Sequence, residues 1–267
     1  NDYIESEWWA LKRIHEQGLL YKGHKVVPYC PRCGTSLSSH EVAQGYKDVK
    51  EKSATVRFRA VQGDYSFLAW TTTPWTLPSN VGLCVNGSLT YCLAEKEGEK
   101  FVLAQALVER VLGEDAQILE TFPGTELVGR HYEPLFECTR EAAKGKDGWR
   151  VVADDYVTAD DGTGIVHMAA AFGEDDARVC RENGLPFIQL VDERGNMAES
   201  TPWAGKFVKE ADPLILKDLK ESGKLFAALP FEHSYPFCWR CDTPLIYYAR
   251  ATWFIKMTAV RDKLMAF

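Results

Sequence analysis

Two short stretches near opposite ends of the chain decide its topology: Pro28-Tyr29-Cys30-Pro31-Arg32-Cys33-Gly34-Thr35-Ser36-Leu37 and Pro236-Phe237-Cys238-Trp239-Arg240-Cys241-Asp242-Thr243-Pro244-Leu245. Aligned on the cysteines, both read Pro-aromatic-Cys-x-Arg-Cys-x-Thr-x-Leu. A tight turn of this kind sets two thiolates on one side, and two such knuckles complete a tetrahedral zinc site. A redox Cys-x-x-Cys pair has no need of a second copy of itself. The repeat therefore favours one structural zinc ion held by Cys30, Cys33, Cys238 and Cys241 over a redox centre or buried thiols. His40 and His233 are possible substitute ligands, but each is assigned to ordinary hydrogen bonds. If one ion joins residues 30–33 to residues 238–241, the two ends meet. Roughly two hundred residues then loop out between them as an inserted body with adjacent ends.

Composition bounds the rest. A chain of 267 residues, 46% hydrophobic, can bury a sizeable core as one large domain or as a domain with a small appendage. No apolar run approaches ~18 residues, so no membrane span and no secretory leader are expected. The first residues, Asn1-Asp2-Tyr3, lack an initiator Met, and the last lie in an apolar stretch. The sequence reads as a piece of a longer polypeptide. Its formal charge is -7, from 38 acidic and 31 basic residues. A protein that grips nucleic acid over its whole surface is usually basic, so any such contact here must be local or supplied by other parts of a parent chain. Cys84, Cys92, Cys138 and Cys180 share no spacing, which favours a reducing, cytoplasmic setting over a disulfide framework.

Periodicity predicts a helix from a capping box at Asp2 and Glu5, with Ile4, Trp8, Leu11 and Ile14 on one face and Gly18 closing it. Short β-rich runs follow at residues 53–61, 67–72, 81–85, 91–94 and 117–122, with further strands at 151–152 and 165–168. Helices are expected over 104–112, over 174–183 before Gly184, and from Asp212-Pro213 to Gly223. Residues 188–191 with the turn Asp192-Glu193-Arg194-Gly195 suggest a hairpin. The sum is an α+β fold: a curved or barrel-like β core with surrounding helices, and a zinc-knuckle stem joining both ends. The expected division is a stem over 1–46, a body over 47–230 and a returning stem over 231–267.

Two segments carry chemistry. Residues 70–80, WTTTPWTLPSN, end a strand with three consecutive hydroxyls and stiffen its exit with two prolines. A β-strand running into a Pro-rich turn accounts for one or two of the threonines. A pocket that hydrogen-bonds a small polar ligand accounts for all three, and composition leaves both readings open. The second segment runs from Asp161-Gly162-Thr163-Gly164 through Ile165-Val166-His167 to a helix opening with Glu174-Asp175-Asp176. Acids in a first turn favour the helix dipole, and a histidine at a strand end is often a core residue. Gly162-x-Gly164 lacks the remainder of a dinucleotide or P-loop pattern and is not a phosphate loop.

Together, WTTTPWTLPSN, DGTGIVH and GEDD, lying between the two knuckles, resemble the editing insertion of the isoleucyl-tRNA synthetases. The opening YIESEWWALKRIHEQGLLYKGHKVVPYCPRCGTSLSSHEVAQGYKDV and the closing YYARATWFIKMTAVRDKL resemble the same family, so the likeness covers essentially the whole chain. The triplet followed by Pro-Trp-Thr points to the isoleucine branch, since valine and leucine relatives typically carry Thr-Thr-Arg-Pro there. One departure concerns the loop after His167, where the family usually has Pro and this chain has Ala170. The nucleotide-binding HIGH and KMSKS motifs are absent, so this chain is not expected to make aminoacyl-adenylate.

The resemblance implies a hydrolytic proofreading site. Valine lacks one methylene of isoleucine, worth only ~1–3 kcal/mol to a pocket, and discrimination of these two amino acids by this kind of enzyme is itself the standard illustration of that range. A second, smaller site admits valine and hydrolyses its ester. By resemblance, Asp176 is the partner of the substrate α-ammonium, and Thr71, Thr72, Thr73, Thr76 and His167 shape the side-chain pocket and hydrogen-bond the ester or ribose. Trp75 is expected near the adenine, and Asn80 to orient substrate or water. An activated ester needs a positioned water and donors toward the developing oxyanion, so no covalent intermediate is expected. The implied partners are the acceptor end of tRNA(Ile) carrying valine and the remainder of the parent synthetase, with the protein acting as a monomer. Competing expectations are the editing domain of a valine or leucine relative, and a zinc-ribbon nucleic-acid module without catalysis; the acidic total speaks against the latter.

Overall fold

In the computed structural model, which describes residues 1–266, the chain begins with helix α1 (Asp2–Glu16) and strand β1 (Leu20–Cys30). A short β2 (Thr35–Ser36), helix α2 (Ser39–Ala43) and the long β3 (Tyr46–Arg59) lead into the body. There follow β4 (Ser66–Thr71), a 3-10 helix (Pro74–Ser79), β5 (Gly82–Val85), β6 (Thr90–Lys96), β7 (Glu99–Ala104), α3 (Val108–Leu112) and β8 (Gln117–Pro123). Next come α4 (Glu137–Ala143), β9 (Arg150–Ala153), β10 (Val166–Met168), α5 (Glu174–Glu182) and α6 (Val208–Glu221). The chain returns through β11 (Leu225–Pro236) and β12 (Ile246–Ile255) and ends in α7 (Arg261–Met265).

Nine strands make one sheet in the order β8-β6-β7-β4-β10-β5-β9, with β3 pairing the free side of β4 and β11 pairing β3. The sheet curls into a half-barrel flanked by helices, as expected for an α+β fold with a curved core. Its central strands are buried on both faces, which is why β4 and β5 read as continuous apolar runs rather than alternating ones. Phe67, Ala69, Leu83 and Val85 point to one face, where α6 packs through Val208, Ala211, Ile215 and Leu219. Leu68 and Cys84 point to the other face, into separate clusters. Val166 pairs with Trp70 in parallel, and His167 pairs with Leu83. Thr71, at the end of β4, and His167, in the middle of β10, therefore stand side by side on the α6 face.

The stem is a second, three-stranded sheet in which β1 pairs β12 from Leu20↔Ile255 to Tyr29↔Ile246. Its strands, like β11, lie outside the runs that alternation picks out, because their side chains are too mixed in polarity to carry a period of two. Among the described residues no helix is long and apolar enough to cross a membrane.

Several local expectations need correction. The capping box at Asp2 and Glu5 does not form: Asn1 is the N-cap and makes no side-chain bond, whereas a complete box forms at Ser38 and Glu41. Helix α6 starts at Val208 rather than at Asp212, because the apolar positions 208, 211, 215 and 219 carry the stripe one turn further back. Pro213 consequently lies inside the helix, on its exposed side. The helix over 104–112 is a 3-10 turn followed by α3, since Ala104 is held in β7 by its pairing with Tyr91. The hairpin expected from residues 188–191 and the turn 192–195 reduces to a bridge between Val191 and Met197 around a turn in which Asp192 Oδ1 accepts the amides of Arg194 and Asn196.

Candidate functional site

At the end of β4 the chain must leave the sheet without leaving buried hydroxyls unpaired. Thr71 Oγ1 accepts the Thr73 amide at 3.1 Å and lies 3.3 Å from Thr73 Oγ1, which is 3.4 Å from Thr76 Oγ1. Thr76 donates its hydroxyl proton to the Thr73 carbonyl at 2.8 Å and lies 3.0 Å from His167 Nε2. Thr76 Oγ1 and His167 Nε2 share one hydrogen bond whichever ring nitrogen carries the proton, and Nδ1 is buried without a partner. His167 is 8% exposed, and burial lowers its pKa to about 4, so the ring is neutral at pH 7. Thr71 and Thr76 are buried, while Thr72 and Thr73 keep part of their surface in solvent.

Asp176 stands in the first turn of α5. Its Oδ2 accepts the amide of Ala169 at 2.8 Å, two residues beyond His167. The carboxylate folds back over Gly173, where a Cβ would come within 2.8 Å of Asp176 Cγ. Burial raises the Asp176 pKa to about 6, the Ala169 amide opposing and Asp175 adding to the rise. It is thus mostly ionised at pH 7 but poorly solvated, which suits a carboxylate that takes a cationic partner. Helix α5 is anchored at its middle by Arg178, which forks onto Asp154 at 2.8 and 2.9 Å and holds that carboxyl below its usual range.

Not every residue singled out from sequence faces this space. Trp75 is 2% exposed and packs edge-on against Phe172, with its indole N–H unpartnered. Asn80 is 1% exposed: its Nδ2 donates to the Gly82 carbonyl, and its Oδ1 accepts the Tyr132 hydroxyl at 2.7 Å. Both lie beneath the threonine loop. Of the four buried side-chain atoms left without a partner among the described residues, three (Trp75 Nε1, His167 Nδ1 and the Tyr156 hydroxyl) lie around this loop or beside Asp176. Such orphans are rare in folded proteins. Ala170 fills the position after Ala169 as a buried residue of the loop, in the cluster with Met168 and Cys180. A groove of about 1220 Å³ runs between β1 and α5, with Lys22, His24, Lys25, Arg181 and Phe187 in its walls, and it reaches Ala170 and Asp175. The threonines and His167 are not part of those walls.

Sequence reasoning missed Asp212, whose Oδ1 accepts the Trp75 amide at 2.8 Å. It also missed Tyr132 and Tyr156, because no spacing relates these positions to the threonine segment.

At the chain ends, Cys30, Cys33, Cys238 and Cys241 bring their sulfurs within 4.8 Å of one another, with Cys30 and Cys241 3.4 Å apart. A regular tetrahedron with a zinc–sulfur distance of about 2.3 Å sets its sulfurs roughly 3.8 Å apart, so the quartet fits a metal ion. The Cys33 amide points at Cys30 Sγ at 3.3 Å, the donor a thiolate ligand attracts. His40 lies outside the cluster, and His233 instead contacts Glu51 at 3.4 Å.

Known proteins resemble this chain in sequence and in fold. Isoleucine--tRNA ligases from Clostridium kluyveri and Bacillus thuringiensis are 56% and 51% identical over 99% of this chain. The chain spans about a quarter of the length of these relatives, 25% and 26% respectively. Among crystal structures, GlLeuRS-CP1 superposes with a TM-score of 0.54 at 11% identity, over 68% of this chain and 100% of its own. The P. knowlesi cytosolic leucyl-tRNA synthetase editing domain gives 0.52 at 12% identity, over 69% of this chain and 98% of its own. At that identity the likeness concerns the fold alone. The family model for class I tRNA synthetases (I, L, M and V) matches residues 1–267, and the chain belongs to that family.

Proposed function

We propose that the chain is the proofreading unit of an isoleucyl-tRNA synthetase and that it hydrolyses valine from mischarged tRNA(Ile). One observation carries the reading: the hydroxyl chain Thr71–Thr73–Thr76 ends on a neutral His167, two residues from the amide that aims the Asp176 carboxylate. In this reading Asp176 binds the α-ammonium, and the half-exposed Thr72 and Thr73 limit the side-chain pocket to the size of valine. His167 and the threonine hydroxyls bind the ester or ribose, and water is the attacking group. Trp75 and Asn80 act from beneath, holding the loop rather than touching the substrate. Valyl-adenylate, which has the same ammonium and side chain, is a second substrate of the same pocket.

The body, residues 47–230, carries this chemistry on a stem made of residues 1–46 and 231–267. The four cysteines hold one structural zinc ion. The exposed apolar face of α1, with Trp8 68% accessible, and Trp253 on β12 are covered by the rest of the parent synthetase, of which this monomeric unit is a part. Deacylation of Val-, Thr- and Ile-tRNA(Ile) tests the reading. Hydrolysis of Val-tRNA with Ile-tRNA spared is expected; equal or inverted rates would remove the isoleucine assignment. Metal analysis should return one zinc per chain. Mild chelation should free the stem before it slows hydrolysis, and immediate loss of hydrolysis from an intact fold would make the metal catalytic.

A further inference from the structure

The Pro74–Ser79 helix is capped in an unusual way. Its N-cap residue, Thr73, makes no side-chain bond to a backbone amide of the first turn, because its hydroxyl is turned toward the hydroxyls of Thr71 and Thr76. Pro74 has no N–H to satisfy, so the first free donor is the amide of Trp75. In most helices the N-cap side chain would take such a donor. Here that would consume a hydroxyl of the threonine chain. Asp212 Oδ1 takes it instead, at 2.8 Å, from a helix 137 positions away in the chain. Helix α6 is locked against this flank, since Val208, Ala211 and Ile215 share one core with Trp75 and Leu77.

We infer that Asp212 is an external cap on the threonine loop, a positioning residue that keeps the Thr73 hydroxyl in the chain linking Thr71, Thr76 and His167 instead of being spent on a helix cap. The functional half of this statement rests on the hydrolytic reading above; the capping half does not. Burial raises the Asp212 carboxyl to about 7, Lys209 and the Trp75 amide opposing and Glu51 adding to the rise. Lys209 is in turn bonded to Glu51 at 2.7 and 2.9 Å, and His233 faces the same carboxylate. Around neutral pH, Asp212 therefore passes between charged and uncharged forms. Both forms keep an oxygen able to accept the Trp75 amide. The hydrogen bond rather than the charge is the working part, so Asn should replace Asp212 and Ala should not.

Two measurements on the full chain test this. Hydrogen exchange at the Trp75 amide should quicken about tenfold in Asp212→Ala, the equivalent of about 1.4 kcal/mol and the size of a lost cap. Amides in the β3–β11 ladder should keep their protection, and Asp212→Asn should restore that of Trp75. Val-tRNA hydrolysis at saturating substrate should fall about tenfold in Asp212→Ala with KM little changed, and return to within about threefold in Asp212→Asn. A protected Trp75 amide in Asp212→Ala overturns the cap. Normal hydrolysis with an exposed amide overturns the positioning role, as does an Asn variant as slow as Ala. If the wild-type chain spares Val-tRNA, the hydrolytic reading fails and takes the positioning role with it, while amide exchange still decides the cap.

Discussion

Asp176 sits in the first turn of α5 and Asp212 in the second turn of α6, and each carboxylate accepts one backbone amide at 2.8 Å. Burial raises both, to about 6 and about 7. The donor of Asp176 is seven positions away, and that of Asp212 is 137. The same device is local in one case and remote in the other. Asp176 steadies the loop that joins β10 to its own helix. Asp212 steadies a loop belonging to a different part of the chain. Under the proposed function, two carboxylates with similar burial and bonding take different parts: one meets substrate, the other holds what meets it.

The sharpest way to break this distinction is to remove each side chain in turn. Asp176→Ala should lower Val-tRNA hydrolysis by about a hundredfold or more, since an ammonium brought into a poorly solvated site without its counter-charge costs about 3–5 kcal/mol. Its melting temperature and metal content should stay close to those of the wild type. That loss should exceed the roughly tenfold expected for Asp212→Ala, and Asp176→Asn should not restore activity, because here the charge is the working part. Equal losses, or rescue of Asp176 by Asn, would make both residues structural. Steady-state deacylation of the four variants decides it.

A smaller change sharpens the local half of the comparison. Gly173 has an ordinary extended φ of -140°, so its backbone would accept any side chain. The constraint is contact, because a Cβ there would stand 2.8 Å from Asp176 Cγ and 3.0 Å from Oδ2. Gly173→Ala should push the carboxylate off the Ala169 amide and slow hydrolysis about tenfold, at a stability cost of about 1 kcal/mol. Unchanged kinetics would show that Asp176 acts from a position other than the one it holds here.

The same contrast explains what could be read from sequence. The knuckles were legible because four ligands in two local turns repeat one pattern, and the quartet closes as that pattern requires. The segment from His167 to Asp176 was legible because strand, loop and first helical turn are contiguous. Helix α5 falls where Glu174 and Gly184 place it, and the apolar, β-rich runs of β4 and β6 mark those strands. The pairing of β1 with β12 and of β3 with β11 was not, because those ladders join residues about two hundred positions apart with little period in either strand. Asp212 was hidden further still. Its place before Pro213 reads as a helix start, and only the packing of Ala211 and Ile215 reveals that it points at the threonine loop.

The finest test is of pH, where the two carboxylates should differ by about one unit. A raised folded pKa means that the folded chain binds more protons than the unfolded chain between about pH 4 and that value. Stability therefore falls as pH rises through the window, and the penalty is complete only above the folded pKa. Asp176→Asn should remove a decline running from about pH 4 to 6, and Asp212→Asn one running from about pH 4 to 7. Each should amount to about 1–2 kcal/mol after allowance for partial exposure. Other carboxyls, such as Asp154 beside Arg178, slope the opposite way, so the quantity to measure is wild type minus variant in urea midpoints across pH. Hydrolysis should run against stability, because Asp176 must be ionised to hold an ammonium, and activity should climb through about pH 6. A rising limb near pH 4, or a difference curve that climbs with pH, would mean that Asp176 is well solvated in the working enzyme. The resemblance between the two carboxylates would then end at their hydrogen bonds.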